Sequence, residues 1–529
     1  MIEEKRPPRT ASRLKRITET AKSVLLTALF LSMTVIACVY IVRTQRMTLE
    51  SADAIDIGRM LTLRPGGDSF SSGLSQERVL PECVAVKADG SGRAVTGGRS
   101  VLAGALSLLT DPLENILSDS SDVTEVPEDD SEAVWLACCS AKDSVYIRFR
   151  SPLPSPILSL YISGGDDEIS SAKACYIREI FILPGEETSD GDGRRSCRAV
   201  ARDGEGRTLR IDGEDLSIDL PSVVSYASNS EFSDFFFAGD IDRSAEAPRL
   251  ELDDSAIVTI GEAPQLCAVF SYDAAGKLMS SPEALLTLFG YNMSRISEYE
   301  DPDTGDVIYI ETWGNLRLSA DSVSFSATGQ RGGIDMSRWL PYGRTGGSYT
   351  LYELLRCSEN FISGLSSIDP GMTGGDAQLY LRDVYSSDGG VTVSYRFIFN
   401  GIDVVCGDRG IDITFSDGMI KELSVRPMTA VNQLTRLLNL SMARCFEGRA
   451  DAAFSGSGRI ALIYPAEGSE PGEQITAEWA FITAEGNITR QDDDAAVEPD
   501  PDTADETSDD SGIEADTLPA EEADEGGAA

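Results

Sequence analysis

Twenty consecutive residues from Ser23 to Val42, SVLLTALFLSMTVIACVYIV, carry no charge. A helix over them spans roughly 30 Å at 1.5 Å per residue, the thickness of a bilayer's hydrocarbon core. This stretch constrains the chain most, because it decides where the rest of the chain can fold. It exceeds the roughly 7–15 apolar residues of a cleaved signal peptide. Arg6, Arg9, Arg13, Lys15, Arg16 and Lys22 come before it, and only Arg43 and Arg46 follow closely. The positive-inside rule then puts the N-terminus in the cytoplasm and the bulk of the chain outside the cell membrane, held by an uncleaved, single-pass signal anchor. Two alternatives remain. VIAC at Val35–Cys38 fits a lipoprotein signal with Cys38 lipidated, although Val39–Val42 continue the apolar run; the other alternative is cleavage. Small residues recur four apart, at Ala28 and Ser32 and at Thr34 and Cys38, and such spacing lets a partner helix approach closely. Those four residues are the candidate contact face within the bilayer. The plain alternative is that the span only tethers the chain.

At 529 residues the chain is too long for one core, and two to four domains are expected. The net charge of -42 argues against nucleic acid as a partner, since phosphate binding needs clustered Lys and Arg. The charge is uneven. Residues 1–22 are basic, and residues 491–529 hold sixteen Asp and Glu with no base. That acidic end has too little apolar content to offset the entropy of ordering, so a disordered tail is expected.

There is no histidine. This removes the Ser-His-Asp and Cys-His arrangements and any His-ligated zinc or haem. The ten cysteines form no CxxC pair and nine lie beyond the apolar stretch, so most read as buried thiols. GxSxG, Walker and GxGxxG motifs are absent. Ser170 and Lys173 make an SxxK match without its companion motifs, which reads as chance. SDGDG at 189–193 reads as a turn. DPDTGD at 301–306 has its glycine at the fifth position, not the sixth of a calcium loop, and reads as a hairpin turn. No cofactor, metal or catalytic residue is expected, and the chain does not read as an enzyme.

The coarse order is a basic cytoplasmic tail (1–22), the transmembrane helix (23–42), a juxtamembrane linker with little structure (43–95), an N-terminal extracytoplasmic domain (96–245), a central helix-plus-meander domain (246–345), a C-terminal domain (346–490) and the acidic tail (491–529). VLAGALSLLTDPLENIL reads as a helix and SDSSDVTEVPEDDSE as a loop. AVWLACCS and SVYIRFRS read as a strand pair, which would point Cys138 and Cys139 to opposite faces. PILSLYIS and CYIREIFILP read as further strands. SPEALLTLFGYN reads as a helix with Ser281 at its N-cap and Pro282 at N1. YTLYELLRCSENFISGL and AVNQLTRLLNLSMARCF read as helices. The alternating runs between and after them read as strands, with a hairpin at Asp417-Gly418. The fold class is α+β: one transmembrane helix, then two or three domains of antiparallel meander sheets with helices on one face of each.

EALLTLFGYN followed by VIYIETWGNLRLSADSVSFSA, then YRFIFNGIDVV, IDITFSDGMIKEL and ITAEWAFITAEGN, resemble the YycH/YycI family of membrane-anchored accessory regulators of the WalK (YycG) cell-wall sensor kinase. The last stretches also resemble PepSY-type modules, whose meanders end in a strand with a Trp, here Trp479. The resemblance covers roughly residues 22–490 unevenly, and the acidic tail, the many cysteines and 43–95 depart from it. It implies a non-enzymatic regulator that binds a sensor histidine kinase through its span and outer domains, with a paralogous accessory protein as a possible hetero-oligomeric partner. The alternatives are a PepSY-like inhibitor or chaperone of an extracellular protease or wall enzyme, and an extracytoplasmic enzyme using paired carboxylates.

Overall fold

The computed structural model describes residues 74–489, with breaks at 118–121, 164–174, 188–193, 214–215, 241–251, 261, 264–265, 280, 341–348, 388–389, 434–439, 442–457 and 484–487. The described residues fall in one unit, Ser69–Ala529. The candidate span with Ala28, Ser32, Thr34 and Cys38 lies outside them, as do the basic segment, the acidic tail, Ser170, Lys173 and SDGDG. Among the described residues, no helix is long and apolar enough to cross a membrane.

The first half contains β1 (Cys83–Ala88), β2 (Ser91–Val95), β3 (Asp122–Glu125), β4 (Ser144–Pro154), β5 (Tyr176–Glu187), β6 (Arg195–Arg202), β7 (Thr208–Asp212), β8 (Ser217–Ile218), β9 (Ser233–Phe237) and β10 (Ile257–Ile260). Its helices are α1 (Arg99–Leu108), α2 (Thr110–Leu117), α3 (Glu128–Cys139), α4 (Ser155–Ser163) and α5 (Leu220–Asn229). The strands form one sheet in the order β10-β9-β2-β1-β4-β5-β6-β7-β3, with β8 beside β6. Expected linker residues therefore form the sheet's middle: β1 pairs with β2 and β4. The β1–β2 turn is Asp89-Gly90, with φ of 52° and 81°, the positive values a two-residue hairpin needs.

Alternation gives this sheet two apolar faces. Val84, Val86, Val145, Ile147, Ile180 and Ile182 pack with residues of α1, α2, α4 and α5 in the main core. Ala85, Tyr146, Phe181 and Val200 face the other way and pack with Trp135, Cys138 and Cys139 of α3. The expectation of helices on one face only is thus corrected here. AVWLACCS is helical: Glu128, Asp129 and Asp130 fill the first turn of α3, where acidic groups complement the helix dipole. Cys138 and Cys139 are both buried in the same cluster. PILSLYIS is the helix α4, five of whose residues are buried. The expected first helix breaks into α1 and α2 at Leu109, and the expected polar loop contributes β3 and the start of α3.

The second half contains β11 (Glu262–Ala263), β12 (Cys267–Ser271), β13 (Ser297–Glu300), β14 (Val307–Glu311), β15 (Gly314–Leu318), β16 (Val323–Ala327), β17 (Ile334–Asp335), β18 (Gln378–Ser387), β19 (Gly390–Phe399), β20 (Ile402–Val405), β21 (Gly410–Ser416), β22 (Met419–Arg426), β23 (Thr429–Gln433), β24 (Leu440–Ser441), β25 (Gly458–Pro465), β26 (Gln474–Thr476), β27 (Glu478–Thr483) and β28 (Ile488–Thr489). Its helices are α6 (Ala274–Met279), α7 (Glu283–Phe289) and α8 (Leu351–Ile368). The large sheet runs β13-β14-β15-β16-β22-β21-β19-β20-β25-β27-β28, with β17 beside β22 and β18 beside β19. β16 pairs with β22, so one sheet runs through the boundary expected at 345/346. β20 and β25 are parallel, a departure from an all-antiparallel meander. α8 starts at a capping box: Glu353 N–H donates to Thr350 Oγ1 while Thr350 N–H donates to Glu353. The N-cap of α7 is Pro282, one residue after the expected Ser281. The expected helix at 430–446 begins instead as β23, which pairs with β12.

Partly buried ion pairs join the halves. Arg459 Nε donates to Glu82 Oε1 at 3.0 Å, Arg150 Nη1 to Asp403 Oδ1 at 2.6 Å, and Arg78 Nε to Glu359 Oε2 at 3.0 Å. The β19–β20 turn is Asn400-Gly401, also at positive φ. A Cβ at Gly401 would stand 3.0 Å from the Gly98 nitrogen, so only glycine fits where this turn presses on the chain entering α1.

Candidate functional site

The outward positions of the second sheet line up across eight strands. Pairing places Ser297, Ile310, Asn315, Ser326, Glu422, Thr414, Thr392 and Tyr385 in one row. The next row runs from Tyr299 and Ile308 through Arg317, Ser324, Ser424, Asp412 and Ser394 to Asp383. Between these positions, Leu316, Phe325, Leu423, Ile413 and Val393 turn into the core with Leu355, Phe361 and Leu365 of α8. The period of two in runs such as VTVSYRF and IDITFS separates the faces: apolar side chains inward, hydroxyls and charges outward.

The face is concave around β16, β18, β19, β21 and β22, where it forms an open pocket of about 550 Å³ lined by Asp383, Arg396, Asp412, Thr414 and Glu422 among others. The Thr392 and Thr414 hydroxyls lie 3.0 Å apart, and Arg396 donates to both Asp412 oxygens, at 2.9 and 3.4 Å. A register shift at Leu381/Asp383 adds Arg382 and brings it and Asp383 to the cavity together. Tyr385 at one end of the rows and Tyr299 and Ile310 at the other are about half exposed.

A buried polar cluster holds this sheet against the first half from behind. Tyr161 on α4 donates to Glu359 at 3.1 Å, and its hydroxyl lies 3.4 Å from that of Tyr395 on β19. Arg78 joins Glu359 and also donates to the Leu379 carbonyl at 2.9 Å. Burial pushes the Tyr161 and Tyr395 hydroxyls well above the ordinary tyrosine range, with the Glu359 charge adding to the effect, so both stay protonated donors.

Burial likewise pushes up the thiols of Cys83 and Cys197, each to about 12, and of Cys138 and Cys406, each to about 11. These cysteines are thiols at neutral pH, and the thiolate is the reactive form. Among the described residues no cluster of three or more His, Cys, Asp or Glu is placed to hold a metal. The DPDTGD loop is the turn between β13 and β14, and Arg317 reaches back to Asp306 at 2.5 Å. Single-residue motifs gave no sign of the outward rows. The signal was the repeated hydroxyl at alternate positions.

No protein-family model matches the chain, and no curated protein matches it. Among solved structures it is similar to the crystal structure of YycH from Bacillus subtilis, at 12% identity over 79% of this chain and 97% of that one, with a TM-score of 0.44. It is also similar to the crystal structure of an uncharacterized protein from Eubacterium rectale ATCC 33656, at 12% identity over 44% of this chain and 87% of that one, with a TM-score of 0.25.

Proposed function

We propose that the chain is a non-enzymatic, membrane-anchored extracytoplasmic protein that binds a sensor histidine kinase of cell-wall metabolism and biases its signalling state. The observation that carries this reading is the outward face of the second sheet. Its rows cross eight strands, carry mostly hydroxyls and charges, and end in half-exposed Tyr299, Ile310 and Tyr385. Such a face offers a macromolecule contact area, and Tyr299 and Tyr385 at its ends are of a residue type that interfaces enrich. Two sequence features support the reading. Ser23–Val42 is long enough to span a bilayer beside a membrane kinase. The stretches that resemble the YycH/YycI family include 307–327, which supply β14 to β16 of this same face. A partner biases a two-state kinase only by binding one state better than the other, so the face need only fit one state. A paralogous accessory protein is a second candidate occupant.

The test uses the full chain in native membranes with a photo-reactive residue at position 326. The expected result is a cross-linked sensor histidine kinase that is lost in the Thr414→Arg/Ser424→Arg variant. Replacing Ser23–Val42 with poly-Leu asks separately whether the span adds to the contact. Recovery of a protease or wall hydrolase instead would move the assignment to the inhibitor reading. Capture indifferent to Thr414 and Ser424 would remove the sheet face from it.

A further inference from the structure

A second concave site lies in the first half, where α3 crosses the sheet. It is a cleft of about 700 Å³ between Val134, Ala137 and Cys138 of α3 and Leu183, Arg198 and Arg210 of the sheet. That volume is in the range of small-molecule sites. Strand pairing sets the floor and rim: Val200 pairs with Arg210, and Leu183 sits opposite Arg198. The floor is apolar, and the rim is cationic.

The charge balance of that rim is unusual for a chain of net charge -42. Lys142, Arg198 and Arg210 line the cleft and are exposed, and among the described residues none forms a side-chain ion pair or hydrogen bond. The acidic residue in the lining, Asp143, is already engaged, accepting from Arg195 Nη1 at 2.7 Å. Arg202 is held elsewhere, 4.5 Å over the Trp135 ring. Three cations therefore line an apolar floor, and the carboxylate in the lining, Asp143 beside Lys142, is bound by Arg195. The site in the second sheet is different, because there Arg396 is matched by Asp412.

We propose that this cleft binds a small organic anion, a carboxylate or phosphate carried on an apolar body. Arg198 and Arg210 supply planar forks that suit an anionic oxygen pair, Lys142 adds a point charge at the mouth, and Val134, Leu183 and Val200 receive the apolar part. Inorganic anions lack the apolar half of the interaction, and organic cations meet the rim's repulsion. The site is independent of the sheet face assigned to the kinase.

The test is calorimetric titration of the full chain in nanodiscs of zwitterionic lipid. The probes are 2-naphthoate and 1-naphthyl phosphate, with inorganic phosphate and naphthylmethylammonium as controls, and variants are compared in identical nanodiscs so that lipid partitioning cancels. The expected result is saturable binding of at least one naphthyl anion, weakened about tenfold or more in Arg198→Gln/Arg210→Gln and by added salt. The stronger of the two anions identifies the head group. Ala137→Phe, a change at an exposed position, fills the cleft and is expected to abolish binding while leaving the unfolding temperature in place. Three results would overturn the proposal: no saturable binding of either anion, equal binding of naphthylmethylammonium, or binding unchanged in the arginine variant and in Ala137→Phe.

Discussion

The two sheets share one alternating pattern and differ in what stands at the outward positions. In the first sheet those positions hold Ala85, Tyr146, Phe181, Phe235 and Phe237, and α3 covers them with Trp135. In the second they hold Ser324, Ser326, Thr414 and Ser424, which can remain in water. An apolar outward face has to be buried, whereas a hydroxyl-rich one can stay open. The alternation is a property of any half-buried strand; the identity of the outward residue decides whether a sheet recruits a second layer or keeps a face for a partner.

The largest expected effect comes from breaking the cover. Trp135 packs edge-on to Phe181 with centroids 4.9 Å apart, and Phe181 packs on Tyr146 at 4.8 Å. Trp135→Ala should cost about 3–5 kcal/mol by chemical denaturation, as for other large-to-small core changes. A loss below about 1 kcal/mol would mean that α3 is not an integral layer.

A slightly smaller effect is expected where the two sheets meet. Arg459→Met leaves Glu82 buried without its partner, which should cost about 3 kcal/mol. The double variant Arg459→Met/Glu82→Leu should recover much of that loss. A double variant no better than the single one would mean the cost came from packing around Arg459, not from the stranded charge.

Acid should act at the same junction. Burial alone would raise the Glu82 carboxyl, but the guanidinium of Arg459, with Arg148 and Arg178 behind it, holds it down to about 2. Because the folded value lies below the unfolded one, the stabilisation is fully present above roughly pH 4.3 and is lost as pH falls toward 2. Unfolding monitored from pH 5 to pH 2 should show this loss; Glu82→Gln should remove the part due to Glu82 and leave that of other depressed carboxyls such as Glu179 beside Arg148. An identical acid profile in that variant would place the acid sensitivity elsewhere.

The smallest expected effect is on the open face. Thr414→Val and Ser424→Ala should each change stability by no more than about 0.5 kcal/mol. A loss above 2 kcal/mol would indicate that another part of the protein covers this face.

What was legible in the sequence follows the same division. The strands of the open sheet alternate strictly, so VSFSA, IDITFS and the Asp417-Gly418 turn could be read directly. The covered sheet hid its helices. AVWLACCS mixes Val134 and Trp135, which favour strands, with two Ala and a Leu that favour helix, and the better signal was the acidic triplet Glu128–Asp130 just before it. PILSLYIS is apolar nearly throughout, so no period separates a buried strand from a buried helix. Asp89-Gly90 between VAVKA and SGRAV marks a hairpin as plainly as Asp417-Gly418, within a stretch read as linker. The pairing of β16 with β22 and of β20 with β25 joins distant segments, and no local pattern encodes it. The cationic cleft needs α3 laid over β5 to β7, so Lys142, Arg198 and Arg210 read in sequence only as scattered basic residues.

The ion pair between Glu82 and Arg459 joins positions 377 residues apart. A chain made from the N-terminus presents Glu82 well before Arg459. Until then the carboxylate before β1 has no latch, and the first sheet, whose ten strands are all made by Ile260, stands without its ion pair to the second half. A chain that stops before Arg459 therefore leaves Glu82 without this partner.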